Sequence, residues 1–106
     1  MSPIRVNTDG IRIHSSEEFK GIRKSCVLAA ETLDMIGEHV APGVSTDYLN
    51  NLCHEFMISN HAIPATLGYR GFPKSCCISI NHVVCHGIPG EKKLKDGDIL
   101  NIDVTC

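Results

Sequence analysis

The amino-acid sequence predicts an α+β fold in which two helices pack on one face of a mainly antiparallel sheet. Apolar residues recur at helical spacing over about 16 to 40, a second apolar helical face follows at 49 to 57, and β-prone runs occupy residues 76 to 105. The chain has 106 residues, of which 42% are hydrophobic and 21% are charged, as in ordinary globular domains. We therefore expect residues 1–106 to form one domain.

The N-terminal segment predicts a small hairpin or extended arm within residues 3 to 13. The runs Ile4-Arg5-Val6 and Ile11-Arg12-Ile13 alternate in polarity. Between them stands Asn7-Thr8-Asp9-Gly10, which has the residue types of a tight turn.

The first helix is predicted over about residues 16 to 40. Ser15 is followed three residues later by Glu18, which is the pattern of a capping box. Apolar residues then recur at helical spacing, at Phe19, Ile22, Cys26, Ala29, Leu33, Ile36 and Val40.

A second helix is predicted after Ala41-Pro42-Gly43, which ends the first. Ser45, Thr46 or Asp47 can cap it. Its apolar face comprises Leu49, Leu52, Cys53, Phe56 and Met57.

Residues 60 to 75 contain two prolines and two glycines and are too interrupted for a long element. Tyr69 and Phe72 lie between these breakers, and aromatic residues in a loop suggest a binding site. Strands are predicted at 76–80, 83–85 and 99–105, where β-branched and small apolar residues dominate.

The last strand has one polar face, formed by Asn101, Asp103 and Thr105, because successive side chains alternate across a strand. The simpler interpretation is that this face meets water. Asp is depleted in strand interiors, however, so Asp103 is unusual there. A carboxylate held on a rigid strand is also a suitable ligand for a divalent metal ion.

His86 stands just before Gly87, which allows close approach of a ligand or of backbone. It can be a catalytic hydrogen-bonding group or a structural histidine, and the spacing alone does not decide. Cys85 and His86 are adjacent and would point to opposite faces of a strand, which argues against a cysteine hydrolase.

Charge and cysteine usage narrow the class of protein. The net charge is −2 and the basic residues are scattered, so we expect no nucleic-acid specificity. No apolar run approaches the roughly 18 residues that span a bilayer, and the first residues lack the order of a signal peptide. The six cysteines show no disulfide framework spacing and no CxxC. We therefore expect reduced thiols and a cytoplasmic location.

Three collinear segments resemble type I methionine aminopeptidases. They are LGYRGFPKS at 67–75, SINHVVCHGIPG at 79–90 and LKDGDILNIDVT at 94–105. A single GIPG or GDI would be weak evidence, but the ordered series is specific. The resemblance covers nearly the whole chain and is strongest from Ala62 onward.

The resemblance implies the N-terminal half of a pita-bread fold, of the creatinase and aminopeptidase type, and removal of the initiator Met from nascent polypeptides. It implies that Asp103 is a ligand of a divalent metal and that His86 is catalytic and contacts the substrate. It also assigns Thr66, Tyr69, Phe72 and Cys77 to the pocket for the methionine side chain. It assigns the backbone of Asn81 and Val83 to a monovalent cation, Na or K.

The cofactor implied for the complete enzyme is a pair of divalent ions, with Co, Fe, Mn, Zn and Ni as candidates. The ribosome is a further partner that the resemblance implies. The family's other four metal ligands lie beyond Cys106, so we expect a truncated catalytic domain that is inactive alone. The alternatives are a non-catalytic half that binds a peptide or partner chain, and an α+β fragment with no independent role.

Overall fold

The computed structural model describes residues 4–106, so the predicted hairpin is seen except for Pro3, which lies outside the described residues. Strands β1 (Arg5–Val6) and β2 (Arg12–Ile13) pair antiparallel. The side chain of Asn7 closes the turn, because its Oδ1 accepts the backbone N–H groups of Asp9 and Ile11, each at 2.9 Å. The hairpin is confirmed.

Helix α1 (Ser16–Gly37) begins with the predicted capping box. Ser15 Oγ accepts the N–H of Glu18 at 3.2 Å, and Glu18 Oε1 accepts the N–H of Ser15 at 3.0 Å. The helix ends at Gly37 rather than near residue 40, since glycine is a weak helix former and the chain turns before Pro42. Val40 nevertheless packs against the core from outside the helix.

The predicted apolar stripe of α1 is only partly buried. Thr32 and Ile36 are the buried residues of the helix, whereas Phe19, Ile22 and Leu33 are 57%, 46% and 43% exposed. Periodicity located an apolar side of the helix, but the rest of the fold covers that side only in part, at residues such as Ile36. The described residues leave that stripe largely open to solvent.

Helix α2 (Thr46–Ser59) is capped by Ser45, whose Oγ accepts the N–H of Tyr48 at 3.1 Å. Leu49, Cys53 and Met57 recur every fourth residue and are fully buried at 0% exposure. Burying a large apolar side chain contributes roughly 1.5 to 3 kcal/mol, so this face anchors the helix. The predicted face is confirmed.

The sheet beneath the helices consists of β3 (Cys76–Ile80) and β4 (Leu100–Val104), paired antiparallel. Helix α2 packs on β3 and α1 packs on β4. The side chains facing the helices belong to the core or pack against it: Cys76, Ile78, Ile80, Leu100, Ile102 and Val104. The opposite face is therefore the one that can form a site.

The strand predicted at 83–85 is wrong. Residues 83–85 are irregular. The residues that follow them are joined to β3 by one backbone hydrogen bond, which the Ile78 N–H donates to the Gly87 carbonyl at 2.9 Å. A strand needs a continuous ladder, and the left-handed backbone of Asn81 and His86, with φ of 53° and 55°, interrupts extended geometry at both ends.

In residues 4–106, neither helix is both long enough and apolar enough to cross a membrane.

Candidate functional site

The outer face of the sheet brings Cys77 and Asp103 side by side, because the two residues are direct partners in the antiparallel register. Asp103 is exposed and Cys77 is buried. Burial, and after it the negative charge of Asp103, raises the pKa of the Cys77 thiol. Cys77 therefore forms a neutral wall beside a carboxylate.

The loop that follows α2 carries the two predicted aromatic residues in a 3₁₀ turn at Tyr69–Gly71. Gly68 enters the turn with φ of 80°, a conformation that glycine adopts without strain. The Gly68 N–H donates to the Phe72 carbonyl at 2.8 Å and closes the loop. The closed loop places both rings at one cavity.

His86 is fixed through its neighbour, Gly87. A Cβ atom on Gly87 would lie 2.1 Å from the Ile78 carbonyl oxygen, so only glycine fits against β3 here. The Gly87 N–H also donates to Ser79 Oγ at 3.0 Å. This close approach ties the backbone beside His86 to the strand that carries Cys77.

These elements surround an open pocket of about 560 Å³. Its lining is Ala65, Thr66, Tyr69, Arg70, Phe72, Cys77, His86, Asp103 and Thr105. All six residues assigned by the resemblance to catalysis, substrate binding and the divalent metal therefore share one cavity. The volume lies within the usual range for small-ligand sites, roughly 300 to 1,000 Å³.

Sequence reasoning missed three lining residues: Ala65, Arg70 and Thr105. The sequence places Thr105 on the same strand face as Asp103, but sequence reasoning did not assign it to the site, although that shared face was the available signal. Ala65 carries no sequence signal, since it reaches the pocket through a tertiary hydrogen bond from its N–H to the Thr105 carbonyl at 2.9 Å.

Asn81 and Val83 lie outside that pocket. They line a separate cavity of about 170 Å³ at the end of the sheet where β3 finishes and β4 begins. Asn81 Nδ2 donates to Asp98 Oδ1 at 2.9 Å, and Asn81 Oδ1 accepts the N–H of Ile99 at 3.1 Å. The hydrogen bond from Asn81 is the main cause that lowers the pKa of Asp98.

Residues 4–106 supply only part of the metal-ligand chemistry of the main pocket. Asp103 is the only carboxylate among its lining residues. Residues 4–106 contain no group of three or more His, Cys, Asp or Glu side chains arranged to hold a metal ion. An Asp oxygen suits a divalent ion as one ligand, so the chain fits part of such a site and further ligands would have to come from elsewhere.

Known proteins resemble this chain over most of its length. A family model described as metallopeptidase family M24 matches residues 20–106. The methionine aminopeptidase of Rickettsia prowazekii (strain Madrid E) is 62% identical over 95 residues, and that of Escherichia coli (strain K12) is 55% identical over 97. Each match covers 90% of this chain and 37% of the relative, so the chain spans little more than a third of the relatives' length.

Solved structures give the same result for the fold. The Rickettsia prowazekii methionine aminopeptidase superposes with a TM-score of 0.85 at 62% identity, covering 87% of this chain and 37% of that one. The Thermotoga maritima methionine aminopeptidase superposes with a TM-score of 0.85 at 31% identity, covering 88% and 38%. The predicted resemblance and the predicted pita-bread fold class are both confirmed.

Proposed function

The chain belongs to metallopeptidase family M24, and from that premise we propose that it supplies the N-terminal part of a metal-dependent methionine aminopeptidase. The proposed activity is removal of the initiator Met from nascent polypeptides in the cytoplasm, with the ribosome as a candidate partner. The observation that carries this proposal is the convergence of Asp103, His86 and the aromatic loop on one cavity.

The apolar side of the pocket suits a methionine side chain. Phe72 is half-buried, Cys77 is buried, and Tyr69 completes the wall. The thioether of methionine makes favourable contacts with aromatic rings, and its flexible chain fills an irregular cavity. Thr66 contributes a polar edge to the same wall. The pocket would thus hold the first residue of a substrate by its side chain.

Asp103 and His86 would act on the polar end of the same substrate. Asp103 offers a carboxylate to a divalent ion or to the substrate's amino group. The imidazole of His86 can hydrogen-bond to the scissile amide and favour its tetrahedral form. A divalent ion, such as Co, Fe, Mn, Zn or Ni, supplies a water of lowered pKa and polarises the carbonyl when bound.

Asn81 and Val83 are proposed to bind a monovalent cation, Na or K, through their backbone oxygens. The support is their shared cavity at the end of the sheet. An ion there would act on the ends of β3 and β4, at a distance from the substrate pocket.

The proposal predicts that this polypeptide is inactive by itself, because one carboxylate cannot hold a pair of metal ions. The test is an assay of the 106-residue chain on a Met-Gly-Met peptide with Co(II), Mn(II) or Fe(II). A second arm adds a polypeptide equivalent to the remaining length of a relative. Activity only in the second arm supports the proposal, and activity of the chain alone contradicts it.

A matched pair of variants sharpens that assay. Asp103→Asn should abolish the complemented activity, whereas Asp34→Asn, on the exposed side of α1 and outside the pocket, should leave most of it. Equal activity of Asp103→Asn and the unmodified chain would refute the assigned role of Asp103.

The second candidate is a non-catalytic half that binds a peptide or partner chain. It is favoured by the incomplete ligand set in residues 4–106. Binding of Met peptides without hydrolysis, both with and without the added polypeptide, would support this alternative over the enzyme.

A further inference from the structure

Arg70 is a charged residue of the pocket that the proposed chemistry does not use. It lines the cavity together with His86 and Asp103. Its backbone is left-handed, with φ of 49° and ψ of 36°, which is uncommon for a residue that has a Cβ atom. The turn between Gly68 and Phe72 therefore presents this particular side chain at the cavity.

The guanidinium group of Arg70 rests against a pocket wall. Its Cζ atom lies 5.3 Å from the centroid of the Tyr69 ring, within the range of a cation–π contact. Both side chains are exposed. Among residues 4–106, Arg70 takes part in no ion pair. Its fork of N–H donors thus lies beside the ring and is available to a ligand.

The two opposite charges of the lining suggest how a peptide would lie. When no divalent ion is bound, Asp103 attracts the positively charged amino terminus, and the apolar wall takes the first side chain. Tyr69 and Arg70 are exposed residues of the same lining, so they are available for contact with the residues that follow.

We propose that Arg70 is a specificity-determining residue, which favours peptides that carry a carboxylate within two residues after the N-terminal Met and disfavours those with a basic side chain there. This inference rests on the proposed function. A planar guanidinium binds a carboxylate through paired hydrogen bonds and repels an ammonium group. An exposed ion pair is weak, so the effect is a preference between substrates and not an absolute requirement.

The test measures peptide binding to the full chain by NMR titration and needs no catalysis. The probes are Met-Gly-Glu amide and Met-Gly-Lys amide, whose C-terminal carboxylates are blocked, together with Met amide. We expect the Glu peptide to bind roughly threefold to tenfold more tightly than the Lys peptide. At about 0.5 M NaCl the ratio should fall towards one, because salt screens exposed charges.

Three variants assign the preference to Arg70. Arg70→Asn should abolish it, and Asn accepts the left-handed backbone, so the loop should keep its shape. Arg70→Lys should retain part of it, because the charge remains while the planar fork is lost. Arg23→Asn, on the exposed part of α1, is the matched control and should leave the ratio unchanged.

The inference about Arg70 would be overturned if the unmodified chain bound the two peptides equally, or if Arg70→Asn kept the full preference. In either case, binding of Met amide would still support the pocket assignment. If neither peptide nor Met amide binds, the pocket assignment and the role of Arg70 are both overturned.

Discussion

Asn50 Oδ1 accepts the backbone N–H of Ser75 at 2.9 Å, and so joins α2 to the start of β3. The same oxygen accepts the N–H of Cys76 at 3.1 Å, and all three residues are buried. One side chain thus satisfies two donors at the base of the strand that carries the pocket wall. An unsatisfied buried donor costs roughly 1 to 3 kcal/mol.

Replacing this amide tests its structural role. Asn50→Leu should lower the free energy of unfolding by roughly 2 to 4 kcal/mol, because two buried N–H groups lose their acceptor. Asn51→Leu, on the exposed side of the same helix, is the control and should change stability little. Urea unfolding followed by circular dichroism measures both, and equal stabilities would contradict the role of Asn50.

A methyl group at Gly87 should damage both stability and the site. Gly87→Ala would place a Cβ atom 2.1 Å from the Ile78 oxygen, so the segment must move away from β3. We expect a loss of at least about 2 kcal/mol and a shifted His86 resonance in NMR. Gly90→Ala is the matched control, since no atom lies within 4 Å of its Cβ position. Unchanged His86 signals in Gly87→Ala would refute the close packing.

The carboxyl group of Glu18 should titrate at unusually low pH. Hydrogen bonds from the Ser15 N–H first, and then from His14 and Arg12, lower its pKa to about 2 from an ordinary value of 4.5. A lowered folded-state pKa means that the group stabilises the start of α1 above about pH 4.5, and that this contribution is lost as the pH falls towards about 2.

Carbon-detected NMR titration measures this midpoint directly. Arg12→Ala and His14→Ala should each raise the Glu18 pKa only in part, because the backbone donor of Ser15 remains. A midpoint near 4.5 in the unmodified chain would show that the capping box does not form.

The cysteines should react in the order of their exposure. Cys26 and Cys85 are exposed, whereas Cys53, Cys76 and Cys77 are buried. Only the thiolate is nucleophilic, and the raised pKa of Cys77 lowers its thiolate fraction. Alkylation with iodoacetamide, followed by mass spectrometry, should modify the exposed pair first. Asp103→Asn should accelerate the reaction of Cys77, and labelling of Cys77 as fast as Cys85 would contradict the described pocket.

The exposed stripe of α1 should promote association. Phe19, Ile22 and Leu33 present apolar surface on one helix side, and contiguous apolar patches on soluble chains tend to self-associate. We expect concentration-dependent association in sedimentation experiments, reduced by Phe19→Ser with Ile22→Ser. Val84→Ser is the control, since Val84 is 91% exposed elsewhere in the chain. A monomer at all concentrations would refute the effect.

Much of the local structure could be predicted from the sequence because it depends on near neighbours. The Ser15–Glu18 capping box, the Asn7–Gly10 turn and the α2 face all involve residues within a few positions of each other. The alternation that put Asp103 on a polar strand face has the same origin. The failed strand at 83–85 shows the limit, since strand pairing depends on distant partners.

The sequence by itself determined the two helices, the polar face of β4 and, through its collinear motifs, the family. Tertiary structure alone decided that Asp103, His86 and the Tyr69 loop meet in one cavity, that Arg70 belongs to it, and that the apolar stripe of α1 stays open. Local periodicity records which side of an element is apolar, but the neighbour that covers that side comes from distant parts of the chain. Contacts between residues far apart in the chain, such as the hydrogen bond from Ala65 to Thr105, are therefore visible only in the tertiary structure.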